Sequence, residues 1–335
     1  MLFVLDANVW LKENLLRSAV GVAFLYAIRR LGGRLFLPES TRLEILSGVQ
    51  KRGDDAVCKV ENGLTTIQSL IGHKPDYSQP SMSDFRSAAE WRLDELSDLI
   101  QRCEITLDIY HKALMRVTDH RPPAKTREQY RDCLLWECLI KTSDDCILVS
   151  ADGDFMDNIK GRDKAKGSCL AQELAKESSG QVSLYLELKD ALKAVEPQLP
   201  RPDLEGTADT IAAAIQPVLV NIQESQGWHS GPRVGADIEL YATERVATTT
   251  VVFNLRFNAY GLRTADGEEV DEGFMEAKGE CLIDDSHVVS ALRLDHIHLL
   301  TLDDKPLAGG SIYAYIDGLI FGTRQIPYTV RAKLN

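Results

Sequence analysis

The chain begins with an uninterrupted apolar run, Leu2-Phe3-Val4-Leu5, that ends on a carboxylate, Asp6. Four apolar residues with no polar break predict a buried strand, central in a parallel sheet whose two faces are both covered. From Arg17 to Leu31 the apolar positions Val20, Val22, Phe24, Leu25, Ile28 and Leu31 recur at near-helical spacing, and Gly32-Gly33 supply a stop. Leu35-Phe36-Leu37 reads as a second short strand. Strand, helix and strand joined by short connections make a βαβ unit, and hence a parallel sheet. Pro38 and Ser40 open the next helix, with Glu44 one turn inside it.

Residues 53–120 read as mostly helical, with a loop from Gly72 to Pro80. Ser83 or Asp84 is expected to cap a long helix that runs through Cys103, with Leu93, Leu96 and Ile100 as its apolar stripe. Arg127 to Lys141 predicts another helix, with Asp132 in its first turns, and Cys146-Ile147-Leu148-Val149 a further buried strand. That strand runs into Ser150-Ala151-Asp152-Gly153-Asp154-Phe155, again setting carboxylates at a strand's carboxyl end. Val182 to Leu188 predicts one more strand, and Lys189 to Val195 a closing helix.

Three prolines between Glu196 and Pro202 forbid a continuing helix and mark a linker. Beyond it the pattern changes. One helix, Thr207 to Gln226, precedes alternating runs at Ile238–Tyr241, Thr248–Phe257, Glu276–Ile283, Val288–Leu302 and Ser311–Phe321, with a turn at Ala265-Asp266-Gly267. This is the pattern of an antiparallel sheet or sandwich. The expected organisation is an α/β domain over residues 1–196, a linker over 197–206 and a β-rich α+β domain over 207–335.

Composition adds bounds to this picture. At 335 residues two domains are the natural expectation. With 44% apolar and 26% charged residues the chain is expected to fold. No apolar run reaches bilayer length, and the N-terminus lacks a signal-peptide pattern, so a cytoplasmic protein without a membrane partner is expected. Seven cysteines without a C-x-x-C pair suit reduced, buried thiols better than disulfides or zinc. The net charge of −12 argues against binding nucleic acid over a broad basic surface. Residues 201–335 hold 11 Lys/Arg against 20 Asp/Glu, while residues 1–200 hold 27 against 30. A polyanion must therefore be met by local patches in the first part.

Asp6 has two readings: the N-cap of the following helix, or a ligand-binding acid at the sheet edge where open α/β sheets bind. Its company favours the second. Asp6, Glu44, Asp132 and Asp152 occupy comparable places, and a parallel sheet would gather them at one edge. Clustered carboxylates repel unless neutralised, and hard oxygen donors select Mg²⁺ or Mn²⁺ over zinc.

These features together resemble the PIN domain, a metal-dependent nuclease fold. The resemblance rests on the strand ending in Asp-x-Asn (Asp6, Asn8), the acid after the second strand (Glu44) and the helix from Asp132 to Ile140. It rests also on the apolar-Ser-x-Asp-x-Asp-Phe segment from Val149 to Phe155. It covers about residues 1–195, with a helical insertion between Glu44 and Asp132 as in the larger PIN-like proteins. By resemblance the metal ligands are Asp6, Glu44, Asp132 and Asp152, with Asp154 as a further acid and Asn8 and Ser150 in support. The implied activity is hydrolysis of a phosphodiester, Glu44 completing the site or orienting the attacking water. The products would carry 5′-phosphate and 3′-hydroxyl ends, with RNA the commoner substrate and DNA the rival.

Two basic patches adjoin these segments. Residues 111–131 contain Lys112, Arg116, Arg121, Lys125, Arg127 and Arg131 against Asp119 and Glu128; Lys160, Arg162, Lys164 and Lys166 follow the Asp152 loop. Both suit phosphate positioning, chiefly through Arg127, Arg131 and the second patch. Trp136 and Tyr130 read as packing residues. His296 and His298, two apart in a strand, could bind a metal with His287, but read better as a polar strand face. Gly309-Gly310 reads as a turn. The acidic C-terminal part is expected to bind a protein, or a second copy of itself, as in a toxin or antiphage effector. A non-catalytic scaffold is the alternative class.

Overall fold

The computed structural model describes the chain apart from residues 74, 125–128, 143, 153–154, 156–172, 174–180, 200–203, 227, 246, 264–268, 316–330 and 335. It divides into two compact units, one of Met1–Leu16 with Ala27–Ala191, the other of Arg17–Tyr26 with Leu192–Asn335.

The first unit is built on a five-stranded parallel sheet. Its strands are β1 (Leu2–Leu5), β2 (Arg34–Pro38), β3 (Ile100–Cys103), β4 (Cys146–Val149) and β5 (Val182–Tyr185), in the order β3-β2-β1-β4-β5. All four residues of β1 are buried, as an apolar run in the middle of a covered sheet requires. Leu5 lies opposite Val149, so β1 and β4 end together. The chain leaves β1 toward β2 on one side, and β4 lies on the other. That reversal of winding opens a crevice at the carboxyl ends of β1 and β4.

Helices α1 (Ala7–Lys12), α2 (Ala19–Arg30), α3 (Glu39–Ile71), α4 (Met82–Glu95), α5 (Leu107–Thr118), α6 (Tyr130–Ile140) and α7 (Leu188–Val195) connect the strands. The buried face of α6, with Cys133, Leu134, Trp136, Cys138 and Leu139, packs with Val4, Phe36 and Leu148 into one core. Trp136 is therefore a packing residue, as its sequence suggests, and Tyr130 lies against the same core. Helix α3 ends at Gly72, which adopts φ 81° and returns its N–H to the Gln68 carbonyl, a left-handed cap that glycine enters without a Cβ penalty. Within α3, Gly53 lets the Phe85 ring of α4 approach to where a Cβ would stand 2.4 Å from it.

Two expectations fail in this insertion. Helix α4 is capped by Ser81, which accepts the Asp84 N–H at 3.3 Å, while the Asp84 carboxylate accepts the Ser81 N–H at 2.7 Å. The helix stops at Glu95, and Ile100–Cys103 is not its continuation but strand β3, paired in parallel with β2. An edge strand is buried on few positions, so Ile-Gln-Arg-Cys carries no apolar run to reveal it.

The second unit carries helix α8 (Leu204–Gln226) and a six-stranded antiparallel meander. Its strands are β6 (His229–Ala242), β7 (Thr248–Arg263), β8 (Glu269–Asp284), β9 (Val289–Thr301), β10 (Pro306–Tyr315) and β11 (Arg331–Leu334). Ile211, Ile215 and Leu219 of α8 pack on Phe253, Leu255, Phe257, Met275 and Ile297 of the sheet. Among the described residues this is one sheet backed by a helix, not a sandwich. Buried positions alternate along β7 from Val251 to Ala259, the period-two pattern of the sequence. Strand β6 is longer than its apolar run because its backbone ladder to β7 continues past the side chains that pack. Thr250, fully buried, donates to the Ala19 carbonyl at 2.9 Å, and so ties residues 17–26 into this unit. The Leu199 N–H donates to the Leu240 carbonyl at 2.9 Å; the remaining linker prolines, Pro200 and Pro202, and the turn at residues 265–267 lie outside the described residues.

Gly309 and Gly310 do not form a turn. They lie inside β10, where its register against β9 shifts between Pro306 and Ser311, an irregularity that glycine accommodates readily. The thiols also differ from expectation: Cys133, Cys138, Cys146 and Cys281 are buried, but Cys58 is exposed and Cys103 half-buried. Cys58 lies on α3. Cys169 lies outside the described residues.

Candidate metal centre

Asp6 directly follows β1, and its N–H donates to the Val149 carbonyl at 3.0 Å, which carries the β1–β4 pairing one residue past the strand. Its backbone takes the cap position of α1, yet its carboxylate does not cap the helix's next turn. Instead Ser150, the first residue after β4, donates its hydroxyl to Asp6 Oδ2 at 3.0 Å. The same Ser150 oxygen accepts the Asp152 N–H at 3.1 Å. Ser150 thus ties the acid after β1 to the loop that carries Asp152.

Asp6 is only 6% exposed. Burial pushes its carboxyl above the usual range; hydrogen bonds from Ser150, the Ala7 N–H and the Asn8 side chain act the other way, and the Asp152 carboxylate pushes it up again. Glu44, on α3, is raised by burial too, opposed by the nearby Arg131 guanidinium and raised further by Asp6. Asp152 after β4 thus acts on Asp6 after β1, and Asp6 in turn acts on Glu44 of α3.

Asp132 lies in the first turn of α6, half-buried, and α6 touches α3. Its neighbour Arg131, 70% exposed at the side chain, reaches Glu44 Oε1 at 3.4 Å. Arg131 therefore faces the acids, an ion partner the sequence did not point to. Gln129, just before α6, donates to Asp152 Oδ2 at 3.1 Å, and no motif distinguished it. Beside Asn8 a pocket of about 240 Å³ is lined by Lys12, Glu13, Ala151, Leu186 and Glu187 among others.

The donor set is carboxylate oxygen without imidazole or thiolate, which suits a hard divalent cation. The electrostatics suit one as well: acids made weaker by burial and by one another regain their charge when a cation neutralises the cluster. In geometry the carboxylates are only partly assembled. Among the described residues no group of three or more His, Cys, Asp and Glu is arranged to hold an ion. Asp154, Arg127, Lys160, Arg162, Lys164 and Lys166 lie outside the described residues.

The first basic patch needs a correction. Arg116 is not a surface cation: it is 1% exposed, with Nε donating to Glu137 Oε1 at 2.8 Å and Nη1 and Nη2 donating to the Glu173 carboxylate at 3.0 and 2.7 Å. A basic residue on the inner face of an amphipathic helix looks the same in sequence as one on the outer face until its partners are known. Lys112 pairs with Asp108 at 3.0 Å along α5. In the second unit, the His296 and His298 rings stand 4.7 Å apart, opposite Lys278 and Glu276 on β8. With an ammonium opposite one of them, these histidines belong to a mixed polar strand face.

Residues 3–155 match the family model of the PIN domain. The match marks a PIN domain over these residues, and it does not reach Leu192–Asn335 of the second unit. The match spans β1 to the Asp152 loop and includes the helical insertion of α3, α4 and α5. No curated protein matches the chain in sequence. PIN domains are generally metal-dependent nucleases, which suggests a nucleic-acid substrate and a divalent cation. No described helix is long and apolar enough to cross a membrane.

Proposed function

We propose that the acidic edge of this PIN domain is the active site of an endoribonuclease dependent on Mg²⁺ or Mn²⁺. Asp6, Glu44, Asp132, Asp152 and Asp154 are its candidate ligands, supported by Asn8 and Ser150. The observation that carries this reading is the Asp6–Ser150–Asp152 linkage, in which an acid at a helix start leaves its capping role to face a second acid. When bound, the cation supplies a water acidic enough to ionise near neutral pH and offsets charge on the leaving oxygen.

The chain's own residues have separable roles in this scheme. Ser150 holds Asp6 in one orientation, and Gln129 does the same for Asp152. Glu44 completes the site or orients the attacking water. Arg131 is placed to exchange its ion pair with Glu44 for one with a phosphate of the substrate. Arg127, Lys160, Arg162, Lys164 and Lys166 extend the phosphate-binding track. The acidic residues 207–335 serve a protein partner or self-association rather than RNA, an organisation that suits a cytoplasmic toxin or antiphage effector.

One observation favours a non-catalytic scaffold: Glu44 is paired with Arg131. Purified protein should therefore be tested on labelled total RNA and single-stranded DNA in Mn²⁺, Mg²⁺ or EDTA, beside Asp6→Asn and Asp132→Asn. Metal-dependent cutting of RNA that both variants lose is the expected result. Cutting of DNA alone would establish the deoxyribonuclease rival, cutting that survives both substitutions would remove the site, and no cutting would favour the scaffold.

A further inference from the structure

The pocket beside Asn8 is lined by residues of the first unit and continues from the acidic edge. Two of its lining residues come from the segments that carry the acids. Asn8 hydrogen-bonds Asp6 on one side, and Ala151 stands between Ser150 and Asp152 on the other. Its apolar wall is Val9 of α1, Leu186 just after β5 and Leu188 at the start of α7. Val9 and Leu188 are buried, but Leu186 is 44% exposed, a large apolar side chain left open to water where it lines the pocket.

Two charged groups complete the lining. The Lys12 ammonium and Glu187 Oε1 stand 3.9 Å apart, and their side chains are 34% and 37% exposed. Lys189 holds the other carboxylate oxygen of Glu187 at 2.6 Å, so Oε1 is the one turned toward Lys12.

We infer that this pocket receives one unpaired base of the RNA strand, that of a nucleotide next to the phosphate that is cut. The inference rests on the reading of the acidic edge as the nuclease site, which sets that phosphate beside Asp6 and Asp152. A volume of about 240 Å³ lies below the roughly 300–1,000 Å³ of pockets for drug-sized ligands, which suits a single planar base rather than a longer stretch of strand. Bases taken out of a stack are held between apolar side chains and read along their Watson–Crick edge. Val9, Leu186 and Leu188 supply the walls, and Lys12 with Glu187 supplies the reading groups. At 3.9 Å these two are beyond hydrogen-bond range of each other, so an edge that presents an acceptor beside a donor fits between them. Each of the four RNA bases presents such a pair, the acceptor to the ammonium and the donor to the carboxylate. The pocket therefore requires that this one base be unpaired, without fixing which base it is.

The test uses the full chain, in Ca²⁺ to prevent turnover. Methyl-labelled protein is titrated with the four nucleoside 5′-monophosphates and with ribose 5-phosphate, which has the sugar and phosphate but no base. Each nucleotide should shift the Leu186 and Val9 methyl resonances through the ring current of its base. Each should bind about ten-fold tighter than ribose 5-phosphate, as one base held by side chains contributes in single-strand recognition. In Leu186→Ala that preference should fall several-fold while the affinity for ribose 5-phosphate stays. In Mn²⁺, one abasic nucleotide walked through a short RNA should lower kcat/KM about ten-fold at one position beside the cut. Equal binding of nucleotides and ribose 5-phosphate, or a preference that Leu186→Ala leaves unchanged, would overturn the inference. RNA cut equally well with the abasic nucleotide at every position would overturn it too, while leaving the nuclease reading in place. Nucleotides held at Leu186 by a protein that cuts no RNA would keep the base pocket and remove the nuclease reading.

Discussion

Ser150 donates to Asp6 Oδ2 at 3.0 Å across the seam between β1 and β4, two residues that are far apart in sequence. The contact exists because the two strands end in register, Leu5 beside Val149, so that the next residue of each reaches the same crevice. It holds a carboxylate that burial makes costly to ionise.

That cost predicts a pH dependence. Asp6 and Glu44 have folded-state values above their ordinary ones, so the folded protein holds more protons than the unfolded chain across the interval between the two. Stability is therefore fullest below the ordinary carboxylate range and falls as pH rises through the raised values. In EDTA, Asp6→Asn should lose part of this fall and melt higher than the parent at neutral pH, and Mn²⁺ should stabilise the parent but not the variant. Thermal melts against pH, with and without metal, decide it.

Ser150→Ala removes the hydroxyl that orients Asp6 and receives the Asp152 N–H. Outer contacts of this kind are worth about 10–100-fold in metal affinity. Calorimetric titration with Mn²⁺ should show a weakening in that range with the fold intact. An unchanged affinity would separate Ser150 from the metal site.

Arg116→Ala leaves Glu137, 5% exposed, without its cation in the core between α5 and α6. Removing one partner of a buried pair costs about 3–5 kcal/mol, far more than the pair contributes net. Urea denaturation should show a loss of this size. A change below about 1 kcal/mol, the scale of surface pairs, would mean the network is solvated.

Arg131→Ala should behave differently. Its side chain is 70% exposed, so its ion pair with Glu44 contributes at most about 1 kcal/mol to stability. If it contacts a phosphate, RNA binding weakens for all sequences and the slope of log affinity against log salt falls by about 1. Binding of short RNA at several salt concentrations, in Ca²⁺ to prevent turnover, measures this. A shared slope would assign Arg131 to Glu44 alone.

Gly53→Ala puts a Cβ 2.4 Å from the Phe85 ring where α3 meets α4. Overpacking of this kind costs about 1–3 kcal/mol. The double variant with Phe85→Leu should recover part of the loss in chemical denaturation, whereas additive losses would mean that the two residues do not press on each other.

The elements easiest to read in the sequence were those buried on all sides or along one face. Leu2–Leu5 and Cys146–Val149 announce central strands by having no polar break, and the first helix of the βαβ unit announces itself by period. The acids Asp6 and Asp152 were legible because each follows such a strand. Strand β3 was not legible: at the sheet edge Ile100–Cys103 is buried on few positions, and its composition gives no strand signal. The length of β6 was hidden for a related reason, because backbone pairing with β7 extends it where its side chains are polar.

Local pattern was enough to establish a parallel α/β unit followed by a β-rich one, since burial on two faces and burial on alternate residues leave different marks on a chain. Tertiary structure alone decided which polar groups meet. That Ser150 serves Asp6, that Arg131 faces Glu44 and that Arg116 turns inward to Glu137 all depend on segments brought together from distant positions. Charge and hydrogen-bonding capacity are visible in a sequence, but the energy of a polar group is set by its partner and its burial, and both are properties of the fold.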